Sequence, residues 1–410
     1  MTIPTPPTTR GALERREARL AWGMLFPTIA IVSLVILLPL IAIFWISFKP
    51  VGLADLRAVA PVVKESFRSR NDEHRIEYRV RNSSQDKPVT GVTFSDIIPD
   101  GVTLGALPAM CTLNGATLAC DFGDIEGGFN ERYRIPVTID GDPDSLEDII
   151  EGSEPEVTGT GDSILTNSEF TLDNFRRIFD SKEFVSVVWA TTFYTVFGTI
   201  GALVVGLFAA QLLNKSFRGK GVLRGLYLFP YVSPIIAVAF TWVALFDPFS
   251  GSVNALLVQM GVVEAPINFF GARPQALIMV TVFEIWRYFP LSFLFILARM
   301  QSIDTDMYEA ADMDGASPFQ KFWYLSLPML LGILSVLFLL RFIWTFNKFD
   351  DIFLLTGGNA GTRTLTVNVY EQAFAISNIG AGAAVAVVIF AVLLCFSFFF
   401  FRYISQEEGL

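Results

Sequence analysis

Histidine and cysteine are almost missing from this chain, which has one His and three Cys in 410 residues. With His74 alone, a histidine-based metal centre is excluded, because such a site needs several ligands brought together. A G-x-x-x-x-G-K-[ST] phosphate loop is missing too. "FRGKG", Phe217 to Gly221, is basic and glycine-containing but lacks the spacing that cradles a nucleotide. The sequence thus offers no nucleotide site, and no bound cofactor is expected of this chain. Charge is scarce as well, at 17%.

What fills the space is apolar: 52% of residues are hydrophobic, 39 are Phe, and the mean hydropathy is +0.50. Six apolar runs are long enough to cross a hydrocarbon core, near 21–48, 184–213, 222–246, 276–298, 329–349 and 380–402. The first is too long for a signal-peptide core and has no small-residue cleavage site, so it reads as a retained helix. Arg10, Arg15, Arg16 and Arg19 precede it, in a tail of residues 1–20, and Lys215, Arg218, Lys220 and Arg224 follow the second run. Short basic loops stay in the cytoplasm. The expectation is an all-α, multi-pass inner-membrane protein with both termini cytoplasmic.

Acidity is confined to one place. Residues 49–183 hold 14 basic and 25 acidic side chains, about −11 of a total of −10. By the same orientation this segment lies outside the cytoplasm, and its length calls for a domain rather than a loop. "HRIEYRV" alternates Ile76, Tyr78 and Val80 with charge, as a half-buried strand does, and "GVTFSDIIPDGVTL" and "ERYRIPVTI" carry similar signals. In "CTLNGATLAC" a type II′ turn at Gly115–Ala116 sets Cys111 opposite Cys120; a type I′ turn at Asn114–Gly115 would offset them. An exported location favours a disulfide, whereas Cys395, inside the last run, reads as a small apolar residue. The stretch from about 70 to 140 resembles small immunoglobulin-like repeat domains of bacterial surface proteins, implying an inserted β-sandwich. Residues 140–167 read as a flexible acidic return linker, and Phe170–Phe179 as an amphipathic helix on the membrane surface. The module reads either as a spacer or as a dock for a partner.

Between the fourth and fifth runs, at about 299–328, lies the polar stretch "EAADMDGASPFQKFWYLSLPML". Asp306 with Glu309 three residues on suggests a capping box, Ala310 and Ala311 a face open to close approach, and Gly315 a left-handed helix end. Ser317, Pro318 and Gln320 restart a helix that carries Phe319, Phe322 and Trp323 on one stripe, and Pro328 is expected to end it. Glu309, Ala310, Ala311, Gly315, Leu327 and Pro328 match, in order, the signature of permease subunits of bacterial binding-protein-dependent ABC importers, with Leu325 where Ile is usual. "FPYVSPIIAVAFTWVALFDPFSGSVNALL" and "FIWTFNKFDDIFLLTGGNAGTRTLTVNVYEQAF" extend the resemblance to the maltose-type carbohydrate branch, over residues 184–410 and the first run. The resemblance implies a second, non-identical permease, two ATPase subunits that use ATP and Mg in place of this chain, and an extracytoplasmic solute-binding protein as partners. It also implies that the loop couples ATP hydrolysis to alternating access, with Glu309 meeting a basic group on an ATPase subunit.

Charges inside spans suggest a pathway or an internal pair. Glu284 and Arg287 stand three residues apart and could neutralise each other, while Arg341 and Asp351 are placed to reach water, Arg341 by snorkelling. In relatives of the maltose type, sugar contacts surround landmarks that match Trp286 and Pro290, and Phe346, Asn347 and Leu354–Thr356. By that resemblance Glu284, Arg287, Tyr288, Leu291, Trp344, Thr345 and Lys348 face the pathway. Glycerol phosphate or another polar solute is the alternative cargo. An ion-coupled secondary transporter would rest on Glu284 alone, and a membrane-anchored adhesin or receptor would need one span and no such loop.

Overall fold

A computed structural model describes residues 12–70, 73–140, 149–150, 154–164 and 167–403. Part of the basic tail, Arg10 included, and the acidic stretches 141–148 and 151–153 lie outside them. The chain divides into two compact units, one of helices (1–47, 173–376 and 381–410) and one of strands (48–172 with 377–380).

The helical unit begins with α1 (Ala12–Val32) and α2 (Leu38–Ser47), joined by a π-helical turn. Then come α3 (Asp173–Phe179), α4 (Phe184–Asn214), α5 (Lys220–Val232), α6 (Ile235–Leu245), α7 (Ser252–Gln259) and α8 (Gln275–Gln301). The remainder is α9 (Thr305–Met313), α10 (Pro318–Lys321), α11 (Leu327–Phe346), α12 (Asp350–Thr356), α13 (Leu365–Tyr370) and α14 (Ile379–Tyr403). Among the described residues five continuous helical stretches are long and apolar enough to cross a membrane: Arg16–Ser47, Phe184–Asn214, Gln275–Gln301, Pro318–Phe346 and Ile379–Arg402. α4 and α8 pack most closely, because glycines on α4 leave room for α8. A Cβ at Gly201 would stand 2.3 Å from Ile285 Cδ1, and one at Gly206 2.7 Å from Ser292 Cβ.

The third apolar run is not one rod. α5 and α6 meet at 90°. Pro234 drives Ser233 out of the helical region, to φ −68° and ψ 143°, as a residue before proline is driven. Carbonyls freed at such a break must find donors when water is scarce. α3 also departs from the expected surface helix. It starts at Asp173 and buries Ile178 against Val187, Phe346, Leu365 and Val385.

The strand unit holds two four-stranded antiparallel sheets around one core. The strands are β1 (Pro61–Arg70), β2 (Glu73–Asn82), β3 (Val89–Ile97), β4 (Val102–Leu104), β5 (Cys111–Asn114), β6 (Thr117–Ile125), β7 (Asn130–Ile139) and β8 (Glu156–Gly161). They are ordered β1-β2-β7-β4 and β5-β6-β3-β8. Phe67, Ile76, Tyr78, Val80, Phe94, Leu118, Cys120 and Ile135 fill the space between. Cys111 pairs with Cys120 in register and the two form a disulfide; Asn114 pairs with Thr117. Gly115 has φ +66° while Asn114 and Ala116 have no positive φ, which suits the II′ turn at Gly115–Ala116 and excludes the I′ turn at Asn114–Gly115.

The expected bounds of 70–140 are too narrow at both ends. β1 precedes them, and "EVTGTG" is no linker but β8, an edge strand paired to β3. Its glycines are there for close packing. A Cβ at Gly159 would stand 2.9 Å from Pro61 Cγ, and one at Gly161 2.1 Å from the Val59 carbonyl oxygen. Ile150 is fully buried in the same core.

Candidate functional site

Two constructions in the helical unit carry chemistry. The first is the loop from Glu309 to Pro328. α9 is capped by Asp304, whose carboxylate accepts from Asp306 N at 3.1 Å, and not by Asp306, which lies inside the helix. Its end closes with two backbone bonds, Gly315 N to Asp312 O (3.0 Å) and Ala316 N to Ala311 O (2.9 Å), with Gly315 at φ +75°. This is the left-handed termination expected of that glycine. α10 then starts on a reciprocal cap: Ser317 N donates to Gln320 Oε1 (2.8 Å) and Gln320 N to Ser317 Oγ (3.3 Å).

Pro328 does not end this segment. Phe322–Ser326 forms a π-helical turn in which Leu327 N bonds Phe322 O, and the helix runs on through Pro328 to Phe346. The wide turn accommodates a residue that has no N–H to give and a ring that crowds the preceding turn. Two contacts pin the elbow, Lys321 Nζ to Asp312 Oδ1 at 2.5 Å and the Tyr308 and Ser326 hydroxyls at 2.9 Å. Glu309 and Ala310 are exposed, and Met313, Phe319 and Tyr324 are 88%, 70% and 77% exposed. A rigid, cap-defined elbow thus presents a carboxylate beside uncovered apolar groups.

The second construction is a cleft of about 390 Å³. Tyr231 of α5, Tyr288 and Leu291 of α8, and Arg341 and Trp344 of α11 line it, with Asn347, Lys348 and Asp350 beyond the end of α11. Lys348 Nζ donates to the Tyr288 hydroxyl and lies 4.1 Å from the centre of that ring; the Arg341 guanidinium lies 4.8 Å from it. Asp350 and Asp351 approach Lys348 at 3.7 and 3.8 Å. A different cavity, of about 350 Å³, is lined by Leu203, Val204, Leu207, Phe338 and other apolar groups, with Ser335 its one polar side chain. It offers a polar solute almost nothing.

Of the residues expected to face the pathway, Tyr288, Leu291, Trp344 and Lys348 do line the cleft. Glu284, Arg287 and Thr345 do not. Glu284 is fully buried and accepts from Arg341 Nη2 (2.6 Å), Thr345 Oγ1 (2.9 Å) and Tyr194 OH (2.9 Å). Arg287 does not neutralise it. Its guanidinium donates to the carbonyls of Pro230 and Ser233, both at 3.0 Å, at the α5–α6 break. Arg341 does not snorkel: it is 1% exposed and paired with Glu284. Asp351 is also fully buried rather than near water. Tyr231, Asp350 and the Arg341–Glu284 pair were not anticipated, and Asn347, expected only as a landmark, lines the cleft. The only signal for that pair was the presence of both charges inside spans.

Residues 202–407 match the family model described as "Binding-protein-dependent transport system inner membrane component". The chain is 37% identical over 224 residues to the inner membrane ABC transporter permease protein YcjO of Escherichia coli strain K12, covering 54% of this chain and 75% of that one. It is 33% identical over 236 residues to the trehalose/maltose transport system permease protein MalF of Thermococcus litoralis, covering 56% and 78%. It is 30% identical over 246 residues to the sn-glycerol-3-phosphate transport system permease protein UgpA of Escherichia coli strain UTI89, covering 59% and 82%. In fold it is similar to a chain of a bacterial ABC transporter importing the acidic polysaccharide alginate, with a TM-score of 0.51 at 20% identity, covering 58% of this chain and 86% of that one.

Proposed function

Because the chain belongs to the binding-protein-dependent transport system inner membrane components, it is a multi-pass permease subunit of an ABC importer and not an ATPase, and we propose that its cargo is a carbohydrate. The carrying observation is the cleft. Tyr288 and Trp344 supply aromatic surface, and Asn347, Lys348 and Asp350 supply hydrogen bonds, the combination a sugar ring requires. Counting α5 with α6 as one broken span gives six spans, with both termini and the Glu309–Pro328 loop in the cytoplasm. The strand unit is then an immunoglobulin-like insertion outside. The exposed carboxylate of Glu309 and the apolar groups around it meet one of two ATPase subunits. A second permease completes the pathway, and an extracytoplasmic solute-binding protein delivers the solute.

Lys348, whose charge lines the cleft, favours one other cargo, an anion such as glycerol phosphate. Reconstitution in proteoliposomes with the partner subunits separates the two. A neutral sugar predicts uptake that Trp344→Ala reduces about tenfold or more and Lys348→Met reduces much less. An anionic cargo predicts the reverse order. Equal, unaltered uptake in both variants rejects the cleft as the pathway.

A further inference from the structure

The strand unit carries a polarised surface that transport does not explain. On the outward face of β1, β2 and β7, cross-strand register sets Arg68 beside Arg75, and sets Lys64 beside Arg79, which stands beside Arg132. Arg81 and Arg134 complete the face. Against these seven cations stands Glu77, bonded to Arg75 (2.9 Å) and Arg134 (3.2 Å), with Glu73 at the turn end of β2. Half of the 14 basic residues of segment 49–183 thus gather on one side of a domain that is acidic elsewhere. Lys64, Arg68, Arg81 and Arg132 are exposed, and no carboxylate among the described residues pairs with them.

Folding gives no reason for this arrangement. Neighbouring strands lie about 4.8 Å apart, and like charges directly opposite each other destabilise a sheet. The uncharged positions between them, Val62, Ser66, Asn130 and Pro136, include no aromatic or large aliphatic anchor. Arginine anchors protein interfaces too, but beside aromatic and apolar groups in a desolvated centre, which this face does not have. A grid of cations, six of the seven guanidinium, suits instead a flexible chain of regularly spaced anions, which each planar fork can grip through two oxygens.

We propose that the β1–β2–β7 face binds a linear polyanionic glycan, carboxylated or phosphorylated, at the outer side of the membrane. The outward location rests on the orientation given under Proposed function; the charge grid does not. Binding of oligogalacturonate and of poly(glycerol phosphate) to the full-length protein in detergent, measured by calorimetry, tests the proposal without transport or orientation entering. The two polymers distinguish a carboxylate from a phosphate source. At least one should bind, neutral dextran should not, and affinity should fall steeply with salt as counterions are released. Lys64→Gln/Arg79→Gln/Arg132→Gln should weaken binding about thirtyfold, the effect of three exposed ion pairs. Arg79→Lys/Arg132→Lys, which keeps the charge and loses the fork, should fall in between. Equal affinity in wild type and the triple variant overturns the proposal. So does binding only to phosphatidylglycerol vesicles, or a triple-variant defect confined to the solute-binding protein.

Discussion

Glu284 and Arg287 sit one helical turn apart on α8 and answer to different partners. Glu284 belongs to Arg341, 57 residues away, and Arg287 to two carbonyls released where Pro234 breaks the third apolar run. Neither pairing was legible in the sequence, since a charge inside a span announces that it needs a partner without naming one. Removing one member of a buried pair costs about 3–5 kcal/mol. Arg341→Met should therefore lower thermal stability sharply in detergent, and Arg341→Met/Glu284→Gln should recover part of the loss. In the strand unit, burial pushes the Tyr78 hydroxyl above the usual phenol range, and Glu65 and Asp96 beside it add to the shift. A phenol raised in the folded state stabilises fully below its unfolded pKa of about 10, and that stability drains as pH rises beyond it. Above about pH 10 the stability of the module, measured by denaturant unfolding at a series of pH values, should therefore fall less steeply in Tyr78→Phe than in wild type. At neutral pH the same change should cost about 1–3 kcal/mol, because Asp96 loses its 2.5 Å donor.

At the scale of elements, local chemistry was the most readable part. The Gly315 termination and the Ser317–Gln320 cap appear where spacing placed them, because both depend on neighbours within a few residues. The errors lie where distant packing decides. Pro328 looked like a stop and is absorbed by a π-helical turn that continues into α11, and "EVTGTG" looked flexible because its glycines gave no hint of Pro61 and Val59 lying against them. Gly315→Ala should cost about 1 kcal/mol, the strain of a side chain in the left-handed region, and loosen the elbow without unfolding the protein. The expected readout is reduced coupling, seen as fewer solute molecules moved per ATP, with unchanged membrane insertion.

Across the whole molecule the family match covers residues 202–407 and leaves out strands β1 to β8. Because β1 and β8 are both part of the strand unit's fold, a clean excision runs from Pro61 to Gly161 and not from 70 to 140. Replacing that segment with a Gly/Ser linker should leave insertion and basal ATPase activity of the assembled complex near wild type. A collapse of either would mean that the core depends on the insertion. The Glu309–Pro328 loop is proposed to turn hydrolysis on other subunits into movement of this chain's own helices. ATP-driven uptake of solute into proteoliposomes, with subunit assembly checked in the same sample, tests it most directly. With Glu309→Lys the account predicts intact assembly, retained solute binding and uptake reduced at least about tenfold, since a carboxylate at a charged contact becomes a repulsive cation. Wild-type uptake by an assembled Glu309→Lys complex would contradict it.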